Sequence, residues 1–340
     1  MPGDSDQNQR APGPAIPLWM GALLLLVSLG VCLGLAETAV WLYSRHENVY
    51  DIEMWRYAST VKMPDPHPKR VFRHQPNKDT SLYGVPVKTN NEGFRNNRDF
   101  DKKRVPGVKR VLLLGDSITF GWGVRVEEAL GGRLPALLGG EDKVEVINTG
   151  VGNYCTTQEV QTLESQGLAY TPDWIVIGYT TNDAEVIPTF NPGSLWSKSR
   201  LTVLLWSRLD RLSRMVGLDK DWKSYYIDLY RPDAPGWIAT QAALKRLGEI
   251  SHLTGVPVLL FQIPELHQLG SDYPFRHEHQ LVREVAEGAG IHVVDLVDTF
   301  PADNPMGLWV SAEDAHPNSE GHRLLAEGIA AALMENGWTK

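Results

Sequence analysis

Residues 110–124 read RVLLLGDSITFGWGV, and how this stretch is read decides the fold. RVLLLG (110–115) is a short unbroken apolar run with no polar alternation, the pattern of a strand buried on both faces. Gly115 allows a sharp turn, and SITF begins a turn or helix just after it. Working outward, the same texture returns in VEVIN (144–148), WIVIGY (174–179), VPVLLFQI (256–263) and IHVVDLV (291–297). Helical patterns lie between and after these runs, around 126–138, 156–169, 237–253, 276–288 and 319–335. Such alternation predicts an α/β fold, a five-stranded parallel sheet with helices on both faces. In sheets of this kind the ligand crevice lies outside the carboxyl ends of the strands.

The chain has 340 residues, 42% hydrophobic and 22% charged, enough for one large domain with additions. Its formal charge of -8 advertises no basic face for phosphate contacts, which argues against a nucleic-acid partner. The five basic residues of KKRVPGVKR (102–110) read as a solvated linker. Cys32 stands in an apolar run and Cys155 in a polar loop, so a disulfide between them is not expected.

Residues 1–17, rich in Pro, Gly, Asp and Gln, read as a disordered tail. Residues 18–36, LWMGALLLLVSLGVCLGLA, carry no charge and would extend about 28 Å as a helix, close to the thickness of a bilayer core. Trp19 on one side, with Trp41 and Tyr43 on the other, suits interfacial anchoring. The expectation is a single transmembrane anchor over 18–43. A cleaved signal, the alternative, needs a positive leading region, for which only Arg10 is available. Arg10 against Arg45 and Arg56 sets no orientation. Residues 44–108 are polar and Pro-punctuated and read as a juxtamembrane segment and linker, with TNNEGFRNN (89–97) as a turn. The domain proper is then 109–340, with an insertion at about 184–235.

Four strand ends bring chemistry to one rim. The first delivers Ser117, whose following turn can aim a backbone N–H at a developing oxyanion. The second leads into NTGVGNYCTTQE (148–159), a Gly-bearing loop that offers another donor. The third leads into TTND (180–183) and presents the Asn182 amide. After the fifth comes SAEDAHPN (311–318), where Glu313 and Asp314 both precede His316. A hydroxyl, donors, a base and an orienting acid are the parts acyl transfer requires. Three letters, GDS, mean little alone. Gly3-Asp4-Ser5 repeats them with no strand before and no helix after, and the elbow motif G-x-S-x-G is absent because Thr119 occupies its last position.

In order, GDSIT, the Gly loop, the Asn-Asp pair and D-x-H-P-N resemble the blocks of the SGNH (GDSL-type) hydrolases over about 109–337. The N-terminal run with TNNEGFR resembles the bacterial membrane-anchored members. The resemblance implies a three-layer α/β/α, flavodoxin-like fold and Ser-His-Asp ester chemistry without metal or cofactor. It makes Ser117 the nucleophile, His316 the base and Asn182 an oxyanion donor together with the Ser117 N–H. Asn153 stands where the family has Gly, with Gly152 one step earlier, so both are candidates for the remaining donor. Thr180 departs from the family in the same way, again where Gly is usual. Of the two acids, Asp314 is expected to orient His316, since residues two apart along an extended loop point the same way, and Glu313 is the alternative. The implied activity is a membrane-anchored, extracytoplasmic (periplasmic) esterase acting on an acylated small molecule, glycan or lipid. The alternatives are an O-acyltransferase modifying a cell-surface glycan and a silent binding protein.

Other features carry less. Leu201, Leu205, Leu209, Leu212 and Val216 share one face of a helix within 195–217, either packed on the domain or acting as a lid or membrane-surface helix. His277 and His279, two apart on a helix, point in different directions and do not suggest a metal site.

Overall fold

The computed structural model describes residues 17–190, 198–215 and 221–337, so the expected tail, apart from Pro17, and the Gly3-Asp4-Ser5 repeat lie outside the described residues, as does Val216. Helix α1 (Leu18–His46) buries none of its residues, and its best window has a mean hydropathy of 2.3. It is long and apolar enough to cross a membrane. Only residues 47–49 separate it from α2 (Tyr50–Thr60). Two small antiparallel pairs follow: β1 (Lys62–Pro64) with β2 (Phe72–His74), then β3 (Asp79–Leu82) with β4 (Val85–Lys88). The second hairpin turns through Tyr83 and Gly84, both at positive φ, which matches the right-handed twist of a two-residue loop.

The core sheet is β5 (Lys109–Leu114), β6 (Val144–Asn148), β7 (Trp174–Tyr179), β8 (Val258–Gln262) and β9 (His292–Asp295), all parallel in the order β6-β5-β7-β8-β9. The strand order reverses between β5 and β7, which places a crevice at their carboxyl ends. Among the helices are a single turn α3 (Ser117–Phe120), α4 (Leu130–Leu137), α5 (Thr156–Ser165), α6 (Arg200–Met215), α7 (Trp222–Leu229), α8 (Pro235–Thr254), α9 (Arg276–Gly288) and α10 (Ser319–Glu335). A short hairpin, β10 (Trp309–Ser311) with β11 (Asp314–Pro317), precedes the last helix.

Alternation along the strands sorts the core into two layers. Leu112, Leu114, Ile175, Ile177 and Leu260 pack with Val160, Leu163, Leu247 and Val282 from α5, α8 and α9. Val111, Leu113, Val176, Leu259 and Phe261 pack with Leu130, Leu134, Leu325 and Ile329 from α4 and α10. Both faces are covered, hence the unbroken apolar strands and the three-layer fold. Cutting Leu113 or Leu260, both fully buried, to alanine would cost about 2–5 kcal/mol.

The linker expected over 44–108 is a folded part of the domain. Arg95 is buried, and its guanidinium donates to the carbonyls of Phe120, Gly121, Val124 and Pro86. Asn96 exchanges bonds with the backbone of Asn148, donating to its carbonyl at 3.1 Å and accepting its N–H at 3.3 Å. Tyr57, Val61, Leu82 and Val87 cluster with Phe120 and Trp122. The segment reads as polar because its polar side chains bond buried backbone groups instead of water, a use that hydrophobic periodicity does not register.

Candidate active site

Each side chain is delivered by a feature of its own strand end. Gly115 adopts φ 155°, and a Cβ there would fall 2.0 Å from Thr119 Oγ1, so the tight turn after β5 requires glycine. Asp116 caps the next turn by accepting the Ile118 N–H at 2.9 Å. Ser117, buried, then lies with Oγ 2.8 Å from His316 Nε2. His316 and Asp314 are two apart on β11 and share a side of the strand. Asp314 Oδ1 lies 2.6 Å from His316 Nδ1 and accepts the His316 backbone N–H at 3.1 Å. Its other oxygen accepts from Trp122 Nε1 at 2.7 Å.

Glu313 points elsewhere. It is exposed, with Oε1 3.9 Å from Arg208 Nη1. Burial alone would raise the Asp314 carboxyl, but the bonds and charge of His316 and the Trp122 indole outweigh it and hold it below its usual range. Burial likewise disfavours a charged His316, yet Asp314 wins and raises the imidazole above its ordinary value. A hydroxyl on such an imidazole can lose its proton as it attacks a carbonyl.

Three donors belong to residues that line one cavity. No acceptor is found among the described residues for the N–H of Ser117 or of Asn153. The Thr180 hydroxyl bonds Asn182 Oδ1, and Asn182 Nδ2 has no acceptor among the described residues. Ser117, Asn153 and Asn182 all line a cavity of about 360 Å³ that also holds His316. Gly152 does not join them, because its N–H donates to the Tyr57 hydroxyl at 2.8 Å. Asn153 takes φ 65°, which asparagine tolerates better than most residues, so the glycine-like backbone survives the change of side chain.

Sequence reasoning missed what holds this loop. Tyr57 donates to His74 Nε2 at 2.6 Å, and His74 Nδ1 donates to the Gly93 carbonyl at 3.1 Å, so the chain of donors and acceptors closes with one tautomer. Burial depresses His74 to about 3, keeping it neutral. Lys62, also buried and lowered to about 7, donates to Asn153 Oδ1 at 2.8 Å with Phe72 and Tyr57 rings beside it. Tyr50 and Met54 from α2 line the cavity itself. The signal available was TNNEGFRNN, in which Gly93 supplies the carbonyl bonded by His74 and Asn96 bonds the backbone of Asn148. Cys155 is buried and its thiol pushed up to about 11, unsuited to nucleophilic attack. His279 is held between Tyr273 and Asp295 in the core behind α9.

Against known proteins, the GDSL-like lipase/acylhydrolase family matches residues 113–324. Among solved structures the chain is similar to a lipase/acylhydrolase from Enterococcus faecalis, at 18% identity over 67% of this chain and 97% of that one, with a TM-score of 0.40. It is also similar to a catalytic mutant of an acetylxylan esterase from Geobacillus stearothermophilus, at 19% identity over 68% and 96%, with a TM-score of 0.42. No curated protein matches. Matched from within β5 to within α10, the chain belongs to the GDSL-like lipase/acylhydrolase family, a family of ester-hydrolysing enzymes.

Proposed function

We propose that this chain is a membrane-anchored serine acyl hydrolase in which Ser117 is the nucleophile, His316 the general base and Asp314 its orienting acid. The observation that carries the reading is the Ser117–His316–Asp314 chain of contacts, 2.8 and 2.6 Å long, beside a cavity also lined by Asn153 and Asn182, whose donors, with the Ser117 N–H, have no acceptor among the described residues. Ser117 Oγ attacks the ester carbonyl while its proton passes to His316 Nε2. The carbonyl oxygen becomes an oxyanion held by the N–H groups of Ser117 and Asn153 and by Asn182 Nδ2. The imidazolium then protonates the departing alcohol, leaving an acyl-Ser117. Water, deprotonated by His316, releases the acid and restores the serine.

Anchoring rests on α1, with its 19-residue uncharged run and no buried residue. The extracytoplasmic side is part of the same proposal. Transfer of the acyl group to a hydroxyl acceptor is favoured by one feature, a second carboxylate–imidazole pair on the cavity wall, Glu265 with His267 Nδ1. Labelling by a fluorophosphonate tests the nucleophile: the wild type should be modified at Ser117, and Ser117→Ala should lose both label and turnover. Labelled, active Ser117→Ala protein would remove Ser117 from the mechanism. With an acylated donor and a sugar acceptor, loss of transfer but not hydrolysis in His267→Ala would assign the second pair to acceptor activation.

A further inference from the structure

We infer that the outer face of α6 is seated in the lipid interface of the bilayer that α1 crosses, so that the chain touches the membrane at two places. The inference rests on the reading of α1 as an anchor. Leu205, Trp206, Leu209 and Leu212 are 53, 75, 62 and 53% exposed. Their spacing of one, four and seven residues from the first puts them on one side of the helix. Soluble monomers rarely leave a contiguous apolar surface of this kind open to water.

Where the helix starts says what covers that face. The Glu37 carboxylate accepts from the Ser199 hydroxyl at 2.7 Å, the Arg200 N–H at 2.9 Å and the Leu201 N–H at 3.0 Å. Glu37 is the first charged residue after the uncharged run 18–36, whose helical length of about 28 Å matches the hydrocarbon core. Those three bonds therefore pin the start of α6 to the depth at which hydrocarbon gives way to headgroups. On α1 at the same end, Leu42 and Tyr43 remain about half exposed, continuing the apolar surface. A mixture of Leu, Trp and Tyr at that level is the composition of an interfacial belt. The polar flank of α6 turns the other way: Arg200 stacks over Trp55 of α2, and Arg208 reaches Glu313 at the rim of the catalytic cavity.

The test uses full-length chain in nanodiscs of phosphatidylcholine and phosphatidylglycerol, with Cys32→Ala and Cys155→Ala removing the native thiols. Single nitroxide labels are attached through Leu209→Cys on α6, Leu25→Cys within α1 and Leu253→Cys at the far end of α8, the last 76% exposed. Collision with oxygen should exceed collision with a nickel chelate at 209 as it does at 25, with the opposite ranking at 253. A label at 209 that favours nickel means an aqueous face, and one closed to both reagents means a protein cover such as a second copy. Either overturns the inference while 25 still reports lipid. Nickel dominance at 25 would instead remove the anchor reading, and the inference with it.

Discussion

Replacing Asp314 by asparagine changes one atom and reverses a hydrogen-bonding pattern. All three groups around this carboxylate are donors: His316 Nδ1 at 2.6 Å, the His316 backbone N–H at 3.1 Å and Trp122 Nε1 at 2.7 Å. An asparagine has one acceptor oxygen, so its NH₂ must face either the indole or the imidazole. Indole can only donate, and opposing two buried donors there costs about 1–3 kcal/mol. Imidazole can instead move its proton from Nδ1 to Nε2, leaving only the longer backbone contact opposed. That second arrangement is the favoured one, and it strips Nε2 of the lone pair Ser117 needs. A wrong tautomer of this kind lowers kcat by about 10⁴, or about 5 kcal/mol of transition-state stabilisation. Turnover of a short nitrophenyl ester should show that loss with KM little changed. Glu313→Gln, at an exposed site, should stay within about twofold of wild type. The argument has a sharper consequence. Adding Trp122→Phe to Asp314→Asn removes the opposing donor, lets the amide oxygen turn to His316, and should recover at least about tenfold of the lost rate. A double variant no faster than Asp314→Asn would refute the tautomer argument, and equal losses in Asp314→Asn and Glu313→Gln would refute the choice of acid.

Because the base must be neutral and Asp314 raises its pKa, kcat/KM should be full above that pKa and fall as pH drops through a midpoint above about 6.5, the ordinary value for histidine. A pH-rate profile with its acid limb at or below that value would contradict the pairing. Tyr57→Phe leaves the Gly152 N–H and His74 Nε2 without partners and should lower stability in chemical denaturation by about 2–4 kcal/mol, with a fall in kcat as the loop loosens. Lys62→Met keeps the packing but frees Asn153 Oδ1, and kcat should fall by about 10–100-fold. With its folded pKa at about 7 against 10.5, Lys62 binds fewer protons folded than unfolded, so wild-type stability should gain between those values in a way the methionine variant lacks. Glu159 is the opposite case. Burial and the neighbouring Asp183 hold it well above 4.5, so its folded form carries the extra proton and stability declines as pH climbs past 4.5. Glu159→Gln should therefore gain thermal stability over wild type at pH 8 and little at pH 5.

The strands and the helices between them were legible because burial on both faces leaves a run such as VLLL with no polar residue to interrupt it. That Ser117, His316, Asp314 and Asn182 lie together was legible because each follows a strand end or sits in a short loop, so chain order alone brings them to one rim. The proposed donor at Asn153 was half legible: counting gave Asn153 and Gly152 together, and the Gly152 N–H is taken by Tyr57, nearly a hundred residues away. A similar distance hid Lys62, and shorter but still non-local separations hid His74 and Arg95. Their contacts run from one polar side chain to another residue's side chain or backbone, and no local pattern of hydrophobicity encodes such a bond. Trp122 was in plain view in GDSITFGWGV, yet only the fold reveals that its indole faces Asp314.

The three residues between α1 and α2 set a scale of their own. At no more than about 3.6 Å each they allow roughly 11 Å of chain. The helix they lead into supplies Tyr50 and Met54 to the cavity wall, so α1 is joined directly to the proposed site instead of to the edge of a free domain. With α1 in a bilayer, the site has almost no radius of search away from the surface. It would meet its esters by lateral diffusion in two dimensions, and a soluble substrate would have to come to it.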